Sequence, residues 1–179
     1  MWYVIQTFAG EEEKTADIIK KKGSSYYIED CFIPKRERMK KYHGCWNKVE
    51  EILFPGYVFV ISRQPEGLYR ELQQIPKLTK LLGREDEYFV ALKVEEQRLI
   101  QKIGDKDHRT SLSKVTVTEE NRVQVVDGPL KGYMGNVIKV NLHKREVIVK
   151  VTFMGREIEL FMGIEMVNSE EKEPLRKVV

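Results

Sequence analysis

Apolar and polar positions alternate from the second residue, WYVIQT, which predicts a strand. Between residues 9 and 23 the pattern changes: AGEEEKTADIIKKKG opens on three glutamates, closes on three lysines and stops at Gly23. Acid first, base last and glycine at the end suit a helix dipole and its cap. Two β-branched and aromatic runs follow, YYIEDCFIP and ILFPGYVFVI, separated by the basic stretch PKRERMKKYHGCWNKVEE. They predict two strands with a long charged hairpin between them. EGLYRELQQI predicts a short helix with Leu68, Leu72 and Ile75 on one face and Pro76 at its end, EYFVAL a brief strand, and KVEEQRLIQKIG a last helix. This order predicts an α+β domain over residues 1–104, an antiparallel sheet with helices on one face.

The stretch that follows, DKDHRTSLSKVTVTEEN, loses long apolar periodicity, and a linker is expected over 105–120. Over 121–170 short Val/Ile-rich runs alternate with turns at Asp127-Gly128-Pro129, Gly132, Gly135 and Asn141 to Arg145. That texture predicts an all-β unit, a small five-stranded barrel. Residues 171–179 carry few apolar anchors and are expected to form a loose tail. Within this layout LFPGYVFV is anomalous, because proline removes a ladder donor and glycine weakens a strand interior. Both are confined to strand starts, edges, bulges or places of close approach.

Composition changes the picture little. The chain is 41% hydrophobic and 33% charged, with a net charge of +3, a mild bias that permits a polyanionic partner without requiring one. No apolar run approaches a membrane span, and Met1 followed at once by a strand leaves no room for a signal segment, so a cytoplasmic protein is expected. Cys31 and Cys45 are too few for a disulfide scaffold.

Candidate chemistry is sparse. Cys31, His43 and Cys45 fit no common tetrahedral spacing and lack a fourth ligand, so no metal or other cofactor is expected. His43, His108 and His143 sit in charged segments beside no recognisable activated nucleophile, and GxxxxGK[ST], GxSxG and HExxH are all missing from the sequence. A binding protein is favoured over an enzyme. The basic stretch carries Lys35, Arg36, Arg38, Lys40, Lys41 and Lys48 with Tyr42 and Trp46 interleaved. Lysines that keep an exposed hairpin soluble explain it as well as cations on phosphates and rings under bases. Lys131, Lys139, Lys144, Arg145 and Arg156 fall in or beside the barrel turns, where they would form one cationic rim if the loops converge.

Three stretches resemble the NusG family of transcription elongation factors: WYVIQTFAG with the acid-first helix, LFPGYVFV, and VQVVDGPLKGYMGNVIKV with TFMGRE after it. The last is similar to the KOW motif. The resemblance implies an N-terminal NGN domain, a linker, and a C-terminal KOW domain with an SH3-like barrel. It also implies that an apolar patch, mapped here to Trp2 or Tyr3, Phe54 and Tyr57, binds the clamp helices of the largest RNA polymerase subunit. Pro55 and Gly56 would then bend the chain so that the two rings face a partner.

Housekeeping members carry phenylalanines in the KOW turns for Rho and a ribosomal protein, and here those places are Leu130, Tyr133 and Met154. These departures, the basic segment and Lys131 are similar to the LoaP branch, which implies a monomeric processive antitermination factor. Polymerase would be gripped by the first domain and a leader RNA hairpin by Lys131, Lys139, Lys144, Arg145 and Arg156. Arg36, Arg38, Lys40, Lys41, Tyr42 and Trp46 are candidate nucleic-acid contacts, for non-template DNA in the manner of RfaH among others. A general role bridging polymerase to ribosome or Rho is the further alternative. The Val/Ile-rich barrel strands argue against an all-helical alternative state.

Overall fold

The computed structural model of the chain describes residues 1–74, 89–118 and 122–167. The N-terminal sheet has the strand order β2-β5-β1-β6, built from β1 (Trp2–Gln6), β2 (Asp30–Phe32), β5 (Tyr57–Ile61) and β6 (Phe89–Ala91), all antiparallel. Alternation along β1 sends Ile5 to one face, where Ala16 and Ile19 of α1 (Glu12–Lys22) and Leu68 and Leu72 of α2 (Pro65–Gln73) pack with Val58 and Val60. The other face presents Trp2, Val4 and Phe59 to Leu99, Ile100 and Ile103 of α3 (Val94–Ile103). Helices therefore cover both faces, rather than the one face expected. The dipole pattern read in α1 is present, with Glu12 and Glu13 in the first turn and Lys20, Lys21 and Lys22 in the last.

The charged hairpin is more than a connection. β3 (Lys35–Tyr42) and β4 (Cys45–Ile52) pair along their whole length, from Lys35 opposite Ile52 to Tyr42 opposite Cys45. His43 and Gly44 make the turn with φ of 48° and 83°, the left-handed pair that joins strands of native twist. YYIEDCFIP, by contrast, supplies only the three residues of β2. The ladder went unread because its alternation is one of charge: Arg36, Arg38 and Lys40 share a face with Glu51.

The expected linker over 105–120 is also corrected. β7 (Arg109–Thr110) adds parallel to β3, making a sheet of order β4-β3-β7, and β8 (Ser113–Val117) joins the barrel sheet. That sheet runs β10-β11-β12-β8-β9, from β9 (Val123–Asp127), β10 (Val137–Asn141), β11 (Glu146–Phe153) and β12 (Arg156–Met166), with β8 parallel to β12. SKVTV looks polar, but Ser113 and Val115 are fully buried and Lys114 is exposed, a period-two strand too short to stand out in composition. Short 3-10 turns, Pro129–Gly132 and Met134–Asn136, connect β9 to β10. Ile75 and Pro76 of the second helix reading, the first two residues of EYFVAL, and the tail 171–179 lie outside the described residues. Among the described residues no helix is long and apolar enough to cross a membrane.

Candidate functional site

The FPGY run is a tight turn leading into β5. Tyr57 N–H donates to the Phe54 carbonyl at 3.3 Å, with Pro55 at the second position and Gly56 at the third, where φ is 84°. Proline presets the second position and glycine tolerates the positive φ of the third, which is the chemistry of a type II turn. The Gly56 carbonyl accepts from Thr7 N–H at 2.8 Å, and a Cβ on Gly56 would lie 3.3 Å from the Thr7 carbonyl oxygen. Gly56 N–H points inward to Glu12. One oxygen of that carboxylate accepts from Gly56 at 2.6 Å and the other from Gly10 at 2.7 Å, and Glu12 is 1% exposed. A buried carboxyl group at the start of α1 thus fixes the turn through two short hydrogen bonds from backbone N–H groups.

The turn sets a file of aromatic rings on the sheet face opposite α1 and α2. Trp2 meets Phe32 edge-on at 5.2 Å, Phe32 stacks on Phe59 at 5.5 Å, and Phe59 lies 5.6 Å from Phe54. The file continues into the barrel: Phe153, at the end of β11, lies 4.7 Å from Phe54, 5.7 Å from Tyr57 and 6.0 Å from Phe59. Aromatic surface left facing outward was the expectation for Phe54 and Tyr57. Instead Phe54 is 2% exposed and Tyr57 half-buried where Phe153 caps them, and Trp2 is 7% exposed beside Phe32. Trp2 is further covered by His108, which stacks on Phe32 at 3.5 Å and approaches Asp30 at 3.4 Å. Tyr3 alternates to the face of β1 that carries α1 and α2 and stands apart from the other three.

A second contact between the two halves is charged. Arg36, 8% exposed, donates to Glu51 on β4 at 2.8 Å and to Glu146 on β11 at 3.2 Å. Arg38 donates to Glu51 at 3.2 Å and its Nε lies 3.8 Å from Glu146, while Lys40 Nζ is 2.7 Å from Glu51. The Arg145 guanidinium sits 4.2 Å over the Trp46 ring and that of Arg36 5.5 Å over Phe161. Burial opposes ionisation of the Glu51 carboxyl, but the hydrogen bonds of Lys40 and Arg38 and the charges of Arg36 and Arg38 outweigh it and hold its pKa at about 2. Gly163 of β12 lets the strands approach, since a Cβ there would overlap the Glu37 carbonyl oxygen and come within 2.6 Å of Leu112.

Of the candidate nucleic-acid residues, Arg36, Arg38, Lys40 and Trp46 are therefore engaged within the chain, whereas Lys41 and Tyr42 are exposed at the hairpin end. The barrel cations do not converge on one rim. Lys144 and Arg145 occupy the β10–β11 turn and Arg156 opens β12 beside the β11–β12 turn, at opposite ends of an eight-residue strand. At ~3.4 Å per residue those ends are roughly 24 Å apart. Lys139 lies within exposed β10, and Lys131 in the turn leading to the far end of that strand. Cys31 is buried in the sheet core, with burial pushing its thiol up to about 12, while His43 and Cys45 lie at the exposed hairpin tip. These three do not meet, and no metal-holding group of His, Cys, Asp or Glu occurs among the described residues.

The roles of Glu12 in the turn, His108 over the rings, Glu146 in the charged seam and Phe153 as a cap escaped the sequence reading. Glu12 is one of three consecutive glutamates and nothing local singles it out; Phe153 lay inside the TFMGRE motif, next to the residue that drew attention.

The family model described as transcription termination factor nusG matches residues 1–101. The transcription termination/antitermination protein NusG of Buchnera aphidicola is 26% identical over 174 residues, covering 93% of this chain and 94% of that protein. Its Escherichia coli K12 counterpart is 26% identical over 163 residues, covering 87% and 88%, and that of Bacillus subtilis 24% over 163 residues, covering 87% and 90%. A solved structure described as "Domain interaction in Thermotoga maritima NusG" is 22% identical, covers 90% of this chain and 92% of that one, and superposes with a TM-score of 0.46.

Proposed function

The chain belongs to the NusG family of transcription termination and antitermination factors, and from that premise we propose that it is a processive antitermination factor acting through two contacts. The first is RNA polymerase, gripped at the clamp helices by the Phe54–Tyr57 turn with Trp2 beside it. The second is a structured leader RNA, held by the exposed barrel cations Lys131, Lys139, Lys144 and Arg156. The observation that carries this reading is the FPGY turn itself. A buried Glu12 carboxylate and a glycine at positive φ are spent on presenting two rings that, in this conformation, Phe153 covers from the barrel side. Aromatic rings held on a rigid turn are the usual anchors of a helical partner. The barrel and the polymerase are then alternative partners for the same rings, and polymerase is bound by the open form.

A LoaP-like rather than a bridging role is supported by the KOW turns. Leu130 is fully buried and Tyr133 lies under Lys102, whose Nζ is 5.2 Å from the ring, so neither offers the free ring expected of a Rho or ribosome contact. Polymerase and leader RNA tethered by one chain would raise each other's effective concentration. The role is one of binding, and no catalytic step is assigned.

Two substitutions separate the contacts. Lys131→Ala with Arg156→Ala should weaken leader-hairpin binding and lower its salt slope by about two, leaving polymerase affinity unchanged. Tyr57→Ala should do the reverse. Unchanged RNA affinity in the first variant removes those cations from the account, and unchanged polymerase affinity in the second removes the turn.

A further inference from the structure

We propose that the cleft between the end of α3 and the first barrel turn binds a small phosphate ester, a sugar phosphate or a nucleotide. Lys102 and Lys131 take the phosphate, and Asp127 accepts from the hydroxyl or amino groups of the ring. This adds a ligand to the reading above and rests on it only for the consequences for polymerase and RNA.

The cleft has a volume of about 540 Å³, within the range of small-molecule sites, which favour the joints between domains. One wall comes from the N-terminal half: Lys102 and Gly104 at the end of α3, Asp105 after it, and Arg109 of β7. The other is the barrel turn, with Asp127, Gly128, Lys131 and Gly132. Both walls are held from behind. Gly128, at φ 101°, sits so close to β8 that a Cβ on it would lie 2.7 Å from Ser113 Cα, and Ser113 Oγ accepts from Leu130 N–H at 3.0 Å. One oxygen of Asp105 accepts from Arg109 N–H at 2.9 Å and from Asp107 N–H at 2.8 Å. Those bonds hold the Asp105 carboxyl below the ordinary carboxylate value. Walls fixed in advance spare a ligand the cost of ordering them.

The two lysines are what the chain itself does not use. Lys35, Lys40, Lys48 and Lys150 each find a carboxylate at 2.7 to 2.8 Å. Among the described residues Lys102 and Lys131 are paired with none, although Asp105 and Asp127 line the same cleft. Lys102 is instead drawn over the Tyr133 ring, with Nζ 5.2 Å from its centre, and a Cβ on Gly132 would lie 3.0 Å from both its Cε and its Nζ. Its ammonium is thus placed beside the residue that follows Lys131, whose exposed stem brings a second ammonium to the same rim. Ammoniums and carboxylates in one cleft select a ligand that is anionic at one end and carries donors at the other. A phosphate ester of a hydroxylated or aminated ring has both, and Ile103 and Pro129 offer its ring apolar surface. Because Lys102 and Lys131 belong to different halves, the ester binds the arrangement in which Phe153 caps Phe54 and Tyr57. Ester and polymerase therefore oppose each other through the conformation, and ester and leader RNA through Lys131.

The test is isothermal titration calorimetry of the full chain at fixed, near-physiological salt, with inorganic phosphate, ribose 5-phosphate and the ribonucleoside 5′-monophosphates as probes. Ribose 5-phosphate binding as tightly as the nucleotides supports the site and assigns it a sugar phosphate; tighter binding of one or more nucleotides supports it and assigns a nucleotide. No saturable binding of any ester at millimolar concentration, or inorganic phosphate binding as tightly as every ester, overturns it. Lys102→Ala and Lys131→Ala should each weaken the bound ester about tenfold or more, the loss of one hydrogen bond to a charged group. Lys139→Ala, at an exposed lysine of β10 outside the cleft, should change affinity less than about twofold. Equal losses in all three variants mean general attraction to a basic surface and contradict the site. Asp127→Asn should weaken the ester without weakening inorganic phosphate, and equal effects on both remove Asp127 from ring recognition and contradict the assignment. None of these readouts contains polymerase or RNA, so their failure is distinct from failure of the contacts proposed above.

Discussion

Glu12 offers the sharpest test of how the aromatic turn is held. Its two oxygens serve two backbone donors in different surroundings: Gly56 N–H is buried and Gly10 is exposed. In Glu12→Gln one oxygen remains. The amide should keep Gly56, whose donor has no other partner, and surrender Gly10 to water. A hydrogen bond to a charged group is worth about 1.5–3 kcal/mol, and the helix-dipole contribution of the carboxylate is ~0.5 kcal/mol, so this variant should lose about 2 kcal/mol. Glu12→Ala strands the buried Gly56 donor as well and should lose about twice that. Native-state hydrogen exchange gives the residue-level readout. Gly56 should remain protected in Glu12→Gln and exchange faster by a factor of ~30 or more in Glu12→Ala, while denaturant unfolding reports the total cost. Equal Gly56 protection in the two variants, or a loss under about 0.5 kcal/mol in Glu12→Ala, would refute the claim that this carboxylate fixes the turn.

Glu51 provides a pH test: its folded pKa of about 2 lies below the ordinary carboxylate value near 4.3, so its contribution is present above that value and lost as pH falls toward 2. Carboxyl chemical shifts of the native protein should put its midpoint well under 3; a midpoint of 4 or above would mean that the Arg36–Arg38–Lys40 cluster does not hold it. The cysteines should differ in reactivity, with Cys45 taking a thiol reagent rapidly at neutral pH while Cys31, buried and pushed up to about 12, reacts only on unfolding. Two equivalents consumed at one rate by the native protein would contradict the burial of Cys31 in the sheet core.

Much of the fold was legible because its strands and helices carry apolar periodicity. WYVIQ and the Val58–Ile61 run are apolar and buried on both faces, the barrel strand Glu146–Phe153 buries alternate positions, and the helix at 93–104 follows its pattern closely. What stayed hidden lacks that signature. The β3–β4 ladder alternates charge instead of apolarity, and β8 hides two buried positions among serine, lysine and threonine. At the site, the PG dipeptide announced a turn, but its anchor, Glu12, is 44 residues distant and indistinguishable locally from its neighbours. The fate of the rings depended on Phe153, about a hundred residues away, and that of the hairpin cations on Glu146. Residue chemistry named arginines and aromatics suited to nucleic acid; only tertiary structure revealed that the chain meets those same needs internally.

The measurement closest to the central claim is the affinity of RNA polymerase for the full chain and for Phe153→Ala. Removing Phe153 deletes its ring contacts with Phe54, Tyr57 and Phe59, each worth about 0.5–1.5 kcal/mol, so the closed form should lose 10-fold or more in relative population, roughly. The account predicts correspondingly tighter polymerase binding by Phe153→Ala, abolished when Tyr57→Ala is added. Equal or weaker binding by a folded Phe153→Ala chain would contradict it.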